Sequence, residues 1–124
     1  MPIHASVGLN AANIRGDVIL VQILLNDWRV RNSVAPIEVD GLVGPETIGA
    51  ITAFQKKFMA ISDGRVDPNG PTLRKLGQLH LEGILSGNFS STVNRMSGVI
   101  RRPDPSMAAR IFDLYLKALR QELS

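Results

Sequence analysis

The feature that most constrains this chain is a turn sequence that occurs twice. Residues 40–47 read DGLVGPET, and residues 63–73 repeat the order Asp-Gly, a second glycine, proline, threonine and an apolar residue. Glycine allows a positive φ, and proline suits the first helical position because its missing N–H would be unpaired there. Asp63 follows Asp40 by 23 residues and Thr72 follows Thr47 by 25, so the second copy carries a two-residue insertion. Each copy therefore predicts a turn that starts a helix.

Three helices are expected around this repeat. A helix over residues 17–28 would be apolar on nearly every face, with Gln22 as an interruption. This pattern favours a buried helix. Residues 29–39 contain helix breakers and are expected to be irregular. A second helix should run from Pro45 to about Met59, and a third should begin at Pro71 and end at Gly83 or Gly87.

The faces of the second and third helices follow from apolar spacing. Steps of three and four residues place one set of side chains on the inner face and leave Gln55, Lys56 and Lys57 outward or sideways. The expected inner residues are Ile48, Ile51, Phe54 and Phe58 in the second helix, and Leu73, Leu76, Leu79 and His80 in the third.

The remaining residues are expected to form a loop and a fourth helix. Residues 87–103 show no sustained period, whereas Asp104-Pro105 is a helix start followed by a wide apolar stripe. The expected fold class is all-α: a three-helix bundle with an additional C-terminal amphipathic helix. The predicted organisation is a domain over residues 1–82, a connecting loop over 83–103 and a helix over 104–124 that packs on the domain.

Composition excludes several classes of protein. The 124 residues include no cysteine, which removes disulfide frameworks, cysteine-based zinc sites and thiol nucleophiles. No apolar run is long enough to cross a bilayer, and the first residues show no basic stretch leading into an apolar one. The net charge of +3 suits an anionic polymer without requiring one.

No catalytic or metal-binding set is apparent. The two histidines are far apart, the four glutamates are scattered, and no serine lies in a nucleophile motif. Asp63, Asp67 and Asn69 weakly suggest a calcium loop, but its twelfth position would be Arg74 instead of a bidentate acid. We expect no enzyme activity, no metal and no cofactor.

Together these segments resemble the peptidoglycan-binding domain family. The resemblance is carried by residues 16–25, by the two Asp-Gly turns, by Phe54-Gln55 and by Thr72-Leu73 with Leu76. It covers about half of the chain, from Asp17 to Leu76. It implies a small three-helix module, usually attached to cell-wall hydrolases, that binds bacterial peptidoglycan noncovalently and so targets a linked or partner hydrolase to the wall.

The resemblance also implies a shallow cleft where the two Asp-Gly loops meet the second helix. Candidate ligand-binding residues there are Asp40, Gly41, Thr47, Gln55, Asp63, Gly64 and Trp28. Structural explanations compete with each of them. An Asp-Gly carboxylate normally accepts from a backbone N–H a residue or two further on, the threonines can brace helix starts, and a tryptophan that ends an apolar helix is favoured as core.

Two other function classes remain open at this stage. The stripe of the last helix could dock on a partner, which would make the chain an interaction adaptor. Nucleic-acid binding is disfavoured, because the third helix offers only Arg74, Lys75 and Gln78 near its start. The expected location is the periplasm or cell envelope, reached without a visible Sec signal. The resemblance also suggests a contact-dependent secretion machine as a partner, which would account for such a route.

Overall fold

The computed structural model describes residues 3–86, with side chains to residue 83, and contains three helices and one pair of short strands. In chain order the elements are β1 (Val7–Gly8), α1 (Arg15–Arg31), α2 (Pro45–Phe58), β2 (Arg65–Val66) and α3 (Pro71–Ser86). The described part is mostly helical, which agrees with an all-α fold class. The predicted loop over residues 87–103 and the predicted helix over 104–124 lie outside the described residues.

The helix starts agree with the turn prediction. Pro45 and Pro71 are the first residues of α2 and α3. The predicted irregular stretch from residue 29 is wrong at its start, because α1 continues to Arg31. At its C-terminus the basic residues Arg29 and Arg31 complement the negative end of the helix dipole. Gly83 does not end α3, which runs to Ser86.

The core lies between the three helices and is built largely from α1. Its apolar residues from Val18 to Leu25 are almost fully buried, as the unbroken apolar run predicts. Leu73 and Leu76 of α3 join this core. Ile51 and Phe54 of α2 are buried as expected, whereas Ile48 is only partly buried.

The direction of α2 relative to α1 follows from which parts of the helices meet. Gln22, in the middle of α1, contacts Thr47 in the first turn of α2. Trp28, near the end of α1, stacks edge-on against Phe54 and Phe58, with ring centroids 5.6 and 5.7 Å apart. The two helices therefore run in the same general direction, and the connection between them returns along their length.

The strand pair attaches the N-terminal residues to the second Asp-Gly turn. β1 and β2 are antiparallel, with Val7 opposite Val66 and Gly8 opposite Arg65. Just beyond the pair, the Leu9 N–H donates to the Gly64 carbonyl at 3.0 Å. The sequence pattern does not predict these strands, because two-residue strands carry no measurable alternation.

A buried polar cluster joins α1 to α3. The Asp27 carboxylate lies 3.1 Å from His80 Nδ1 and 3.2 Å from the Arg31 guanidinium. Arg31 also donates to the Leu79 carbonyl at 2.7 Å. His80 is thus on the inner face of α3, as its spacing predicts, and its partner is a carboxylate instead of apolar side chains.

Candidate functional site

The first Asp-Gly turn is held by a single buried amide from α1. Gln22 is 0% exposed, and its Nε2 lies 3.1 Å from each of three acceptors: Asp40 Oδ1, the Leu42 carbonyl and Thr47 Oγ1. Its Oε1 accepts from the backbone N–H of Gly41 at 3.0 Å. Because a backbone N–H can only donate, this contact fixes the orientation of the amide. One side chain therefore ties the turn to the start of α2.

The second turn repeats this network with residues from α2 and α3. Gln55 is 2% exposed, and its Nε2 lies 3.0 Å from Asp63 Oδ1, 2.8 Å from the Arg65 carbonyl and 3.1 Å from Thr72 Oγ1. Its Oε1 accepts from the Gly64 N–H at 2.9 Å. The prediction that Gln55 faces outward or sideways is wrong, because helical spacing cannot distinguish a polar side chain that finds buried partners from an exposed one.

The two networks belong to a structural repeat that includes the helices. Gln55 follows Gln22 by 33 residues, and the same offset relates Arg15 to Ile48 and Ile19 to Thr52. A Cβ added to Gly41 would meet Arg15 and Ile19, and one added to Gly64 would meet Ile48 and Thr52. Each Asp-Gly turn therefore packs against the same face of the helix that precedes it.

The glycine in each turn is required by the backbone. Gly41 has φ +76° and Gly64 has φ +74°, in the left-handed region that side chains with a Cβ rarely adopt. The preceding aspartates close the turns: the Leu42 N–H donates to Asp40 at 2.9 Å, and the Arg65 N–H donates to Asp63 at 3.0 Å. This is the carboxylate-to-backbone contact that the sequence predicts for an Asp-Gly turn.

The Asp63 carboxylate is stabilised as an anion. The backbone N–H of Arg65, and then the Gln55 amide, hold the pKa of Asp63 below its usual value, because both donate to the charged form. The side chain is exposed, so the charge stands at the surface of the second turn.

The remaining predicted site residues lie in or beside these networks. Thr47 and Thr72 are buried and contact the glutamine amides, so both brace helix starts. Trp28 is 9% exposed and belongs to the core, with the Lys57 ammonium 5.5 Å from its ring centroid. Whether Asp40, Gly41, Thr47, Gln55, Asp63, Gly64 and Trp28 contact a ligand stays a prediction.

Gln22 belongs to the site although it is not among the residues predicted from the sequence. The available signal was its position as the polar interruption in an otherwise apolar helix, followed by an Asp-Gly turn, with Gln55 in the same relation to the second turn. A buried amide inside an apolar run requires partners, and the turn supplies them.

Apolar side chains also mark the two turns at the surface. Among the described residues, the two most exposed large hydrophobic side chains are Leu42 at 68% and Ile61 at 74%. Leu42 follows Gly41 directly, and Ile61 lies two residues before Asp63. Leu9, also exposed, lies against Gly64. Both turns thus combine a rigid backbone with apolar surface open to solvent.

A comparison with protein families matches residues 15–76 to the family described as "Putative peptidoglycan binding domain". The match spans half of the chain and includes both glutamine networks, from Arg15 to Leu76. The chain belongs to this family. No curated protein and no solved structure matches it.

Membership agrees with the resemblance seen in the sequence. A peptidoglycan binding domain is a binding module and is not catalytic by itself, and it fits a location in the cell envelope or periplasm. Within residues 3–86, no helix is both long and apolar enough to span a membrane. The same residues contain no group of three or more His, Asp or Glu side chains placed to hold a metal ion.

Proposed function

We propose that this chain binds peptidoglycan reversibly through the surface of its two Asp-Gly turns, and that it holds a linked or partner hydrolase on the wall. The observation that carries the proposal is that the family match covers the segment containing both glutamine networks. The exposed Leu42 and Ile61 support it, because large apolar side chains held at the surface are typical of binding sites.

The proposal divides the predicted site residues by what they would do. Gly41 and Gly64 are buried against the preceding helices and set the backbone of each turn, and Asp40 and Asp63 offer carboxylate oxygens beside them. Thr47 and Gln55 act as positioning residues, since both are buried and bonded within the networks. Trp28 packs in the core against Phe54, the neighbour of Gln55.

The mechanism is physical attachment without chemistry. The exposed Leu42 and Ile61 would lie against apolar parts of the wall polymer, and backbone and carboxylate groups would pair with its amide and hydroxyl groups. A module of this kind raises the local concentration of an attached hydrolase, which increases avidity without adding a reaction step.

The direct test is cosedimentation of the full chain with purified insoluble sacculi. We expect the wild-type chain in the pellet and Leu42→Ser or Ile61→Ser to weaken binding about tenfold, since each removes about one apolar side chain of buried surface. Val34→Ser is the matched control, because Val34 is an exposed apolar residue that belongs to neither Asp-Gly turn. Recovery of all the protein in the supernatant at low salt contradicts the proposal.

Targeting of a hydrolase is tested separately. Fusing the chain to a muramidase that has no wall-binding module should raise its rate of wall lysis and leave its rate on soluble wall fragments unchanged. An equal rate with and without the chain contradicts targeting. Fractionation of cells that make the chain tests its location in the envelope and its export by a contact-dependent machine.

A further inference from the structure

The first helix is buried on two opposite sides. At 3.6 residues per turn, Ile19 and Ile23 lie on the side of α1 opposite Val21 and Trp28. Val21 and Trp28 belong to the hydrophobic core, whereas Ile19 and Ile23 are 2% and 0% exposed without belonging to it. The second side of α1 therefore faces a separate covered space.

Two elements border this second side of α1. Ile23 precedes Asn26 by three residues and Asp27 by four, so its side chain points between theirs. Asn26 donates to the Ile37 carbonyl at 2.7 Å, in the connection between α1 and α2. The Asp27 carboxylate lies 3.1 Å from His80 Nδ1 in α3. Ile23 is thus the floor of a groove between the connection and α3.

The groove has apolar walls that are buried as well. Val39, in the connection, is 2% exposed. Leu81 is 1% exposed and lies on the flank of α3 turned away from α2, because Thr72 and Lys75 on the other flank contact α2. If Val39 and Leu81 only met over Ile23, they would form the surface themselves and be partly exposed. The burial of both walls therefore requires a further element over the groove.

The outer groove is defined by four apolar side chains: Ile19, Ile23, Val39 and Leu81. We propose that residues 104–124 of the same chain fill it, as an amphipathic helix whose apolar stripe lies on these four side chains. The stripe consists of Met107, Ile111, Leu114, Tyr115, Ala118 and Leu119. This inference does not depend on wall binding.

The lengths of the groove and of the stripe agree. Val30 follows Ile23 by seven residues, continues the floor on the same side of α1 and is partly buried. Because a helix rises about 1.5 Å per residue, the floor from Ile19 to Val30 is about 17 Å long. The stripe from Met107 to Leu119 would be about 18 Å long on the same rise.

The position where α3 ends favours this segment over a separate partner. α3 ends at Ser86, five residues after Leu81. Residues 87–103 can then span at most about 60 Å, which lets the stripe reach the groove in either direction. A tethered segment competes with a separate partner at an effective concentration on the order of millimolar.

Thiol labelling of the full chain tests the proposal, because the chain has no cysteine and each substitution adds a single thiol. Ile23→Cys reports on the groove, and Leu20→Cys, equally buried on the core side, is the matched control. Leu114→Ser should raise the labelling rate of Ile23→Cys about tenfold more than that of Leu20→Cys, since the groove opens while the core stays folded. Lys117→Ser, on the polar side of the stripe, should change either rate by less than about twofold.

A double-mutant cycle in the full chain gives a second measurement that needs no thiol. Ile23→Val and Leu114→Ala together should lower the urea midpoint by less than the sum of their separate effects, because both remove the same contact. Ile51→Val, in the core, should combine additively with Leu114→Ala. Additive behaviour of both pairs overturns the proposal.

The other outcomes of the labelling also overturn it. An equal rise at Ile23→Cys and Leu20→Cys shows only a general loss of stability. Labelling of Ile23→Cys as fast as an exposed thiol, in the otherwise unchanged chain, shows that the groove is open to a partner protein. Protection that increases with protein concentration identifies a second copy as the occupant. None of these results alters the test of wall binding, which is measured on sacculi.

Discussion

At the scale of single residues, Gln22 and Gln55 are the buried side chains that tie the two Asp-Gly turns to the helices. Each buried amide satisfies a backbone N–H, a carbonyl, a carboxylate and a hydroxyl. We expect Gln22→Leu and Gln55→Leu each to lower the free energy of unfolding by about 3 kcal/mol, because several buried polar groups lose their partner. Urea denaturation measures the change. Lys56→Ala, at an exposed site in α2, should stay within about 0.5 kcal/mol.

At the same scale, Asp63 predicts how the stability of the fold depends on pH. Its pKa is lowered in the fold, so its stabilising effect is present above the unfolded value of about 3.9 and is lost as pH falls through the lower folded pKa. Asp63→Asn keeps an acceptor and removes the charge. The variant should be less stable than wild type at pH 7 and equal to it at the acid end of the titration. A difference that does not change with pH contradicts the assignment.

At the scale of elements, the β1–β2 pair depends on a close approach at Gly8. Gly8 has φ +123°, and a Cβ there would clash with the Gly64 carbonyl oxygen. Gly8→Ala should therefore cost about 2 kcal/mol or more of stability. Gly49→Ala is the matched control, because Gly49 lies inside α2 with open space around it and should stabilise by about 0.5 to 1 kcal/mol. Thermal unfolding of both variants compares them, and equal shifts contradict the close approach.

The helices were predictable and the strands were not, for reasons that belong to this scale. Pro45 and Pro71 fix helix starts through local backbone geometry, which the sequence displays directly. The β1–β2 pair joins residues almost 60 positions apart, and no local pattern marks it. Gln55 was placed wrongly because its burial depends on partners in a turn that the helical spacing does not describe. The Asp-Gly turns were predicted correctly, but not the amides that hold them.

At the scale of the whole molecule, the cluster of Asp27, His80 and Arg31 joins the first and last described helices. The Asp27 carboxylate is almost fully buried between a histidine and an arginine. Asp27→Ala should cost about 3 kcal/mol or more, because it leaves buried polar groups without their carboxylate. A double-mutant cycle with His80→Ala should show coupling well above 0.5 kcal/mol. Additive effects in chemical denaturation contradict a shared cluster.

The glutamine networks also determine how the turns would respond to a ligand. Each turn is already fixed by its preceding helix, by a left-handed glycine and by its own aspartate before any partner arrives. Ordering a mobile loop on association consumes part of the available interaction energy, and a preorganised loop avoids that loss. The same rigidity limits adaptation, so this surface should discriminate sharply among polymers of similar chemistry instead of moulding itself to each of them.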